Sequence, residues 1–187
     1  YMKKLLVCFL LISFCGGSST PDTWKVFEGQ GDRSINLENL GTEFMLLNFS
    51  IESGRAFLDS NQGAIDIAVD DSNLERTIPH NFNGVIPRGG MIYSDTDWKL
   101  TFKPLSYATV LKEELTIPYD DVLKLFTQTN TLTITDEIYE NYTVYGFNCV
   151  GDLIGLEFGL GTETFVFEEN ICYVYVGTNN EKTISTK

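Results

Sequence analysis

The residues of this chain that could do chemistry are few, and their spacing reduces them further. One histidine is present, His80, beside Pro79. A metal site or a proton relay needs more ligands or a second base around it, so His80 reads as a solvated loop residue. No glycine-rich run ending in Gly-Lys-Ser/Thr occurs, and no dinucleotide-type glycine fingerprint opens a helix. Asp70-Asp71, Glu113-Glu114 and Glu168-Glu169 are adjacent carboxylates. Neighbours on a strand point to opposite faces, so solvated surface charge is their default reading. Neither a metal nor an organic cofactor is expected. What remains is Asn61-Gln62-Gly63-Ala64-Ile65-Asp66-Ile67-Ala68-Val69, a tight polar turn running into a half-buried strand.

The elements that must position such residues are strands. From Trp24 onward, short runs rich in Phe, Tyr, Val, Ile and Thr are punctuated by Gly, Asn, Asp and Ser, the pattern of an all-β protein with frequent turns. Strands are expected near 24–28, 43–51, 55–59, 64–69, 98–103, 106–111, 131–135, 142–147, 153–158, 163–167 and 171–176. One helix is expected over Tyr119–Thr127. It follows Pro118, carries Asp120 and Asp121 in its first turn, and spaces Val122, Leu123, Leu125 and Phe126 for one buried face. Residues 70–97, crowded with Asp, Pro and Gly, read as the loosest part.

Composition bounds the partners. The 187 residues are 43% apolar, enough for one compact domain or two very small lobes. Asp and Glu number 26 against 13 Lys and Arg. Such a surface repels phosphate backbones and anionic lipids, which argues against nucleic-acid partners. Residues 1–15 combine Lys3-Lys4, an apolar run from Leu5 to Phe14 and small residues beyond, and read as a secretory signal peptide. A lipid-modified Cys15 is the competing reading. No later stretch approaches the ~20 apolar residues of a spanning helix, so membrane insertion is not expected. The expected location is extracellular or an acidic endomembrane compartment. Removing the signal leaves Cys149 and Cys172, an even pair that reads as one disulfide worth ~3 kcal/mol. Asn48-Phe-Ser50 and Asn141-Tyr-Thr143 are glycosylation sequons.

Several fragments form an ordered series. Glu43-Phe44, LLNFSI (46–51) and Gly54 come first, then Asn61–Val69, Phe82–Gly89 and Asp97-Trp98-Lys99-Leu100-Thr101-Phe102. Leu115-Thr-Ile-Pro118 with YDDVLKLF (119–126) follows, then Cys149, Asp152–Phe158, Thr164–Phe167 and Cys172. In this order they resemble pepsin-like aspartic peptidases. The resemblance implies a shortened pepsin-like fold, with an N-terminal-lobe-like remnant over 16–97 and a C-terminal-lobe-like region over 98–187. It sets Asn61 and Gly63 in the first catalytic motif and Thr109 at the second aspartate, with Asp59 as an alternative acid if the register shifts by two.

Those peptidases activate water between two carboxylates sharing a proton. An amide at 61 does not ionise and a threonine at 109 is no general base in acid. The resemblance therefore implies a secreted, inactive relative that binds an extended peptide or protein segment through main-chain hydrogen bonds. Two alternatives stand beside it. One is an active acid endopeptidase using another carboxylate pair. The other is a secreted β-sandwich or barrel acting as an adhesion or carbohydrate-binding module, in which Asn61-Gln62-Gly63 is only a turn. The sequence leaves the oligomeric state open.

Overall fold

The computed structural model describes residues 24–37, 45–51, 54–60, 63–69, 74–80 and 87–186. The expected signal segment, Asn61 and the Asp70-Asp71 pair lie outside them. Among the described residues the chain forms strands joined by one 3-10 turn, Leu105–Tyr107, and the class is all-β as expected. No helix among them is long and apolar enough to cross a membrane.

Two four-stranded antiparallel sheets come first. One has the order β1 (Lys25–Gln30), β8 (Asp97–Pro104), β3 (Met45–Ile51), β6 (Leu74–His80). The other has the order β2 (Arg33–Asn36), β7 (Pro87–Tyr93), β4 (Gly54–Ser60), β5 (Gly63–Val69). The orders 1-8-3-6 and 2-7-4-5 are those of a jelly roll, in which the chain passes repeatedly between two facing sheets. Nothing in this order is specific to a pepsin-like lobe.

A seven-stranded sheet follows. Its order is β10 (Glu114–Ile117), β15 (Lys182–Ser185), β11 (Asp121–Thr135), β14 (Glu163–Gly177), β12 (Asn141–Phe147), β13 (Leu153–Leu160), and β9 (Thr109–Leu111) lies parallel to β11. Leu123, Leu125, Leu132 and Ile134 of β11 are buried with Val144, Phe165, Phe167, Ile171 and Val174 in the core of this sheet.

The central strands of the first sheet use both faces. Along β8, Trp98, Leu100 and Phe102 are buried at alternate positions while Lys99 is exposed, and Phe102 lies opposite buried Leu47 of β3. The indole of Trp98 packs across Gly29, where an added Cβ would come within 2.7 Å of the ring, and its Nε1 donates to the Gly31 carbonyl at 3.0 Å. On the opposite face, Leu46 of β3 enters a buried cluster with Ala108, Val122, Phe147, Cys172 and Tyr173. That cluster joins the jelly roll to the seven-stranded sheet.

A buried ion pair fastens the last strand. Lys182 Nζ on β15 lies 3.2 Å from Asp136 Oδ1, just beyond β11, with both side chains fully buried. Lys182 Nζ makes no well-directed hydrogen bond, so the contact is an ion pair in character. Asp136 also accepts the backbone N–H groups of Ile138 at 3.0 Å and Glu140 at 2.8 Å. Burial alone would raise the Asp136 pKa; these N–H groups and the Lys182 ammonium outweigh it and hold the carboxyl below its ordinary value.

Two expectations are corrected, the helix and the loose region. Tyr119–Thr127 is not helical: β11 starts at Asp121 and pairs with β14 from Asp121↔Val176 onward. Val122, Leu123, Leu125 and Phe126 fit helical spacing, yet Leu123 and Leu125 are buried while Lys124 and Phe126 are exposed, a period of two. Cross-strand pairing and the β-branched run Thr127–Thr135 override the capping signals. The loose region contains β6 and β7. Trp98–Phe102, expected to open the C-terminal region, pairs with β1 and β3 inside the first sheet.

Candidate functional site

The seam between the first sheet and the seven-stranded sheet opens into a cleft of about 400 Å³. Its floor is the outer face of the first sheet. Register places Leu46 opposite Lys103 and Asn48 between Thr101 and Thr77, so amide, hydroxyl and ammonium groups lie in adjacent cross-strand rows. Leu46, Asn48, Thr77 and Lys103 line the cleft.

Its walls come from two short segments. The 3-10 turn closes with Ala108 N–H donating to the Leu105 carbonyl at 3.0 Å and leaves Tyr107 49% exposed, ahead of Thr109 at the start of β9. Trp24 meets the Tyr107 ring edge-on at 5.2 Å, and Lys103 Nζ stands 4.8 Å from the Trp24 ring, a cation–π contact. The second wall is Pro118–Val122. It is held from two sides. Thr77 N–H donates to the Asp120 carbonyl at 3.1 Å, and Thr178 N–H donates to Asp120 Oδ1 at 2.6 Å. Val122 N–H donates to Asp121 Oδ1 at 2.8 Å.

The arrangement combines an exposed phenol ring, two carboxylates, an amide and threonine hydroxyls around a small volume. A cleft of this size is at the low end for small-molecule sites. Carboxylates and amides recognise hydroxyl or N–H rims, while a ring face takes an apolar surface. Among the described residues, no group of three or more His, Cys, Asp or Glu side chains could hold a metal ion.

The structure distributes the sequence candidates. Thr109 lines the cleft. Gly63 opens β5 opposite Ser60, and Asp59 on β4 pairs with Ala64 and Gly89 in the second jelly-roll sheet. Asn61 lies outside the described residues. Cys149 and Cys172 form a disulfide that ties the β12–β13 turn to β14. Asn48 is half-buried in the cleft, whereas Asn141 is exposed at the start of β12. Glu113, Glu114, Glu168 and Glu169 are exposed, and His80 ends β6. Sequence reasoning missed Tyr107, Tyr119, Asp120 and Asp121 as site residues. The signal of the last three, an aromatic and acidic run after Pro118, was absorbed by the expected helix start, whereas Tyr107 fell inside an expected strand over 106–111.

No known protein family and no curated protein matches the chain. Among solved structures it is similar to a chain in the X-ray structure of the entire lipid-containing bacteriophage PM2, at a TM-score of 0.33 and 13% identity. That match covers 87% of this chain and 49% of the other, so this chain spans about half the length of the solved one.

Proposed function

We propose that this chain is a secreted, non-catalytic carbohydrate-binding protein that takes one or two units of a neutral sugar in the cleft between the two halves. The observation that carries this reading is the exposed Tyr107 ring in one cleft with Asp120, Asp121, Asn48 and Thr77. A pyranose presents an apolar C–H face and a rim of hydroxyls. The phenol ring suits the face, and carboxylate and amide oxygens suit the rim. The excess of 26 acidic over 13 basic residues disfavours sulfated and uronic sugars. Jelly rolls include lectin domains, an analogy of fold that adds only to the prior.

A second reading keeps the peptidase resemblance. Thr109, the position matched to the second catalytic motif, lines the same cleft, which favours an inactive pepsin-like relative holding an extended peptide. One set of assays separates the two. Neutral glycans are screened against the purified protein and titrated calorimetrically with wild type and Tyr107→Ala. The sugar reading expects saturable binding weakened about tenfold, the equivalent of ~1.4 kcal/mol for a stacked ring. Binding of extended peptides without any glycan would transfer the site to the second reading. Pepstatin-sensitive cleavage of an unfolded substrate at about pH 3 to 5, near carboxylate pKa values, would overturn both.

A further inference from the structure

β13 is the outermost strand of the seven-stranded sheet, and among the described residues it pairs along its length only with β12. Its outer backbone groups form an open ladder, the usual place for strand addition. On one face, at alternate positions, Leu156, Phe158 and Leu160 are 43%, 71% and 44% exposed. On the other face Glu157 is exposed, and Gly159 lies under the Tyr142 ring, which fills the space a side chain would need. Over Leu156–Leu160 the edge carries no bulge or proline, and its one charged residue, Glu157, lies opposite buried Val144 on the core-side face.

We propose that β13 pairs antiparallel with β13 of a second copy of this chain, about a two-fold axis at Phe158, so that two seven-stranded sheets join edge to edge. Self-complementarity selects this occupant. In Leu156-Glu157-Phe158-Gly159-Leu160 the exposed-face residues Leu156 and Leu160 are symmetric about Phe158, and Gly159 leaves room for Glu157 on the other face. A two-fold at Phe158 sets Phe158 against its counterpart, Leu156 against Leu160 of the second copy, and Glu157 against Gly159 of the second copy, which has no side chain. An isologous contact demands such a match of a patch with itself. The register one residue back sets Glu157 against Glu157, a like-charge opposition that costs stability in a sheet. The register at Phe158 takes Glu157 out of direct opposition with its counterpart and sets the two carboxylates on the diagonal.

The joined strands exchange about four to six backbone hydrogen bonds, depending on which residues direct their polar groups outward. A contact of about five residues a side falls below the roughly 20–30 of standard interfaces, so the dimer is a weak one that forms with rising concentration. Two acidic copies repel each other at long range, and added salt therefore strengthens association.

The test is sedimentation equilibrium of the intact protein over a range of concentrations at low and high salt. The expected result is a monomer–dimer equilibrium shifted towards dimer by salt and reduced at least tenfold by Phe158→Lys. Because Phe158 is 71% exposed, that variant keeps the wild-type melting temperature. Phe158→Cys is also expected to cross-link under mild oxidation, since opposed Cα atoms in antiparallel strands lie about 4.5–5.5 Å apart, within disulfide reach. Val166→Cys, on exposed β14 surface away from the axis, is the control and stays uncross-linked. A chain that remains monomeric up to ~1 mM, the weak limit of specific binding, overturns the proposal, as does a dimer that Phe158→Lys leaves unchanged. A different protein captured on this edge with the chain itself monomeric overturns it too.

Discussion

Replacing Lys182 by Met tests how the last strand is held. In the native protein the ammonium and the Asp136 carboxylate are 3.2 Å apart with no exposed side-chain surface on either. Methionine matches the stem in volume, so the packing against neighbouring strands is retained and the charge alone is lost. Asp136 then stays buried with only the Ile138 and Glu140 N–H groups to stabilise its charge. Breaking one side of a buried pair costs about 3–5 kcal/mol. For a chain of this size, each kcal/mol lowers the melting temperature by roughly 2–4 °C, so the expected fall is about 6–20 °C. Thermal unfolding followed by circular dichroism reads it directly. The double variant Lys182→Met/Asp136→Asn removes both charges and is expected to recover most of the loss, because the cost lies in the orphaned charge. A single variant that loses less than about 1 kcal/mol, or a double variant as unstable as the single, refutes the reasoning.

The same pair gives a pH dependence with a definite sign. The folded-state pKa of Asp136 is depressed below the ordinary 3.8, so its contribution is fully present above that value and is lost as pH falls through the folded pKa. Acid unfolding in the Asp136→Asn variant is expected to be shallower below pH 4 than in wild type, measured by fluorescence. Tyr142 has the opposite sign: burial first, then the charges of Glu163 and Asp136, push its pKa up to about 12. Its contribution is intact below 10 and disappears as pH rises towards 12, so alkaline unfolding should shift upward in Tyr142→Phe once the lost hydrogen bond to the Gly161 carbonyl is subtracted. Cys172→Ser is expected to cost about 2–5 kcal/mol by denaturant titration, the range for a native disulfide in a small secreted domain. Phe126→Lys should change stability by no more than about 0.5 kcal/mol, since Phe126 is 71% exposed on β11, whereas Leu125→Lys should prevent folding; a helix over these residues would make Phe126→Lys damaging.

The strand content was legible because burial alternates where the sequence alternates. Trp98, Leu100 and Phe102 against Lys99 read directly as a half-buried strand and became β8. Its partners were not legible, since strand order depends on contacts far apart in sequence, and Trp98 finds Gly29 across the intervening chain. The false helix at Tyr119–Thr127 shows the limit of local signals. Pro118 and two aspartates mimic a helix start, and only the pairing with β14 reveals Leu123 and Leu125 as one face of a strand. β6 was hidden by Pro79, which sits on an edge strand where a missing N–H is tolerated. The disulfide was legible because Cys149 and Cys172 are the pair that remains once the segment read as a leader is set aside.

The site was less legible than the fold, and the reason lies in β3. A central strand of one sheet would ordinarily bury a single face. Leu47 does so against Phe102, but Leu46 is buried on the other side with Val122 and Phe147, so the chain spends both faces of this strand on packing. Asn48, next on the Leu46 face, then has to sit at the margin of a core rather than in solvent. That margin is where Thr77 reaches across to the Asp120 carbonyl and where the two halves cease to touch. A cleft follows from the geometry: two sheets meeting along one buried patch must diverge beyond it, and the polar residues bordering the divergence are drawn from five separate strands, the 3-10 turn and the segment before β11. No run of the sequence contains them together. Thr109, singled out by the resemblance as the position of the second aspartate, lines the cleft together with Asp120 and Asp121, and β9 runs parallel to β11 with Thr109 opposite Leu123.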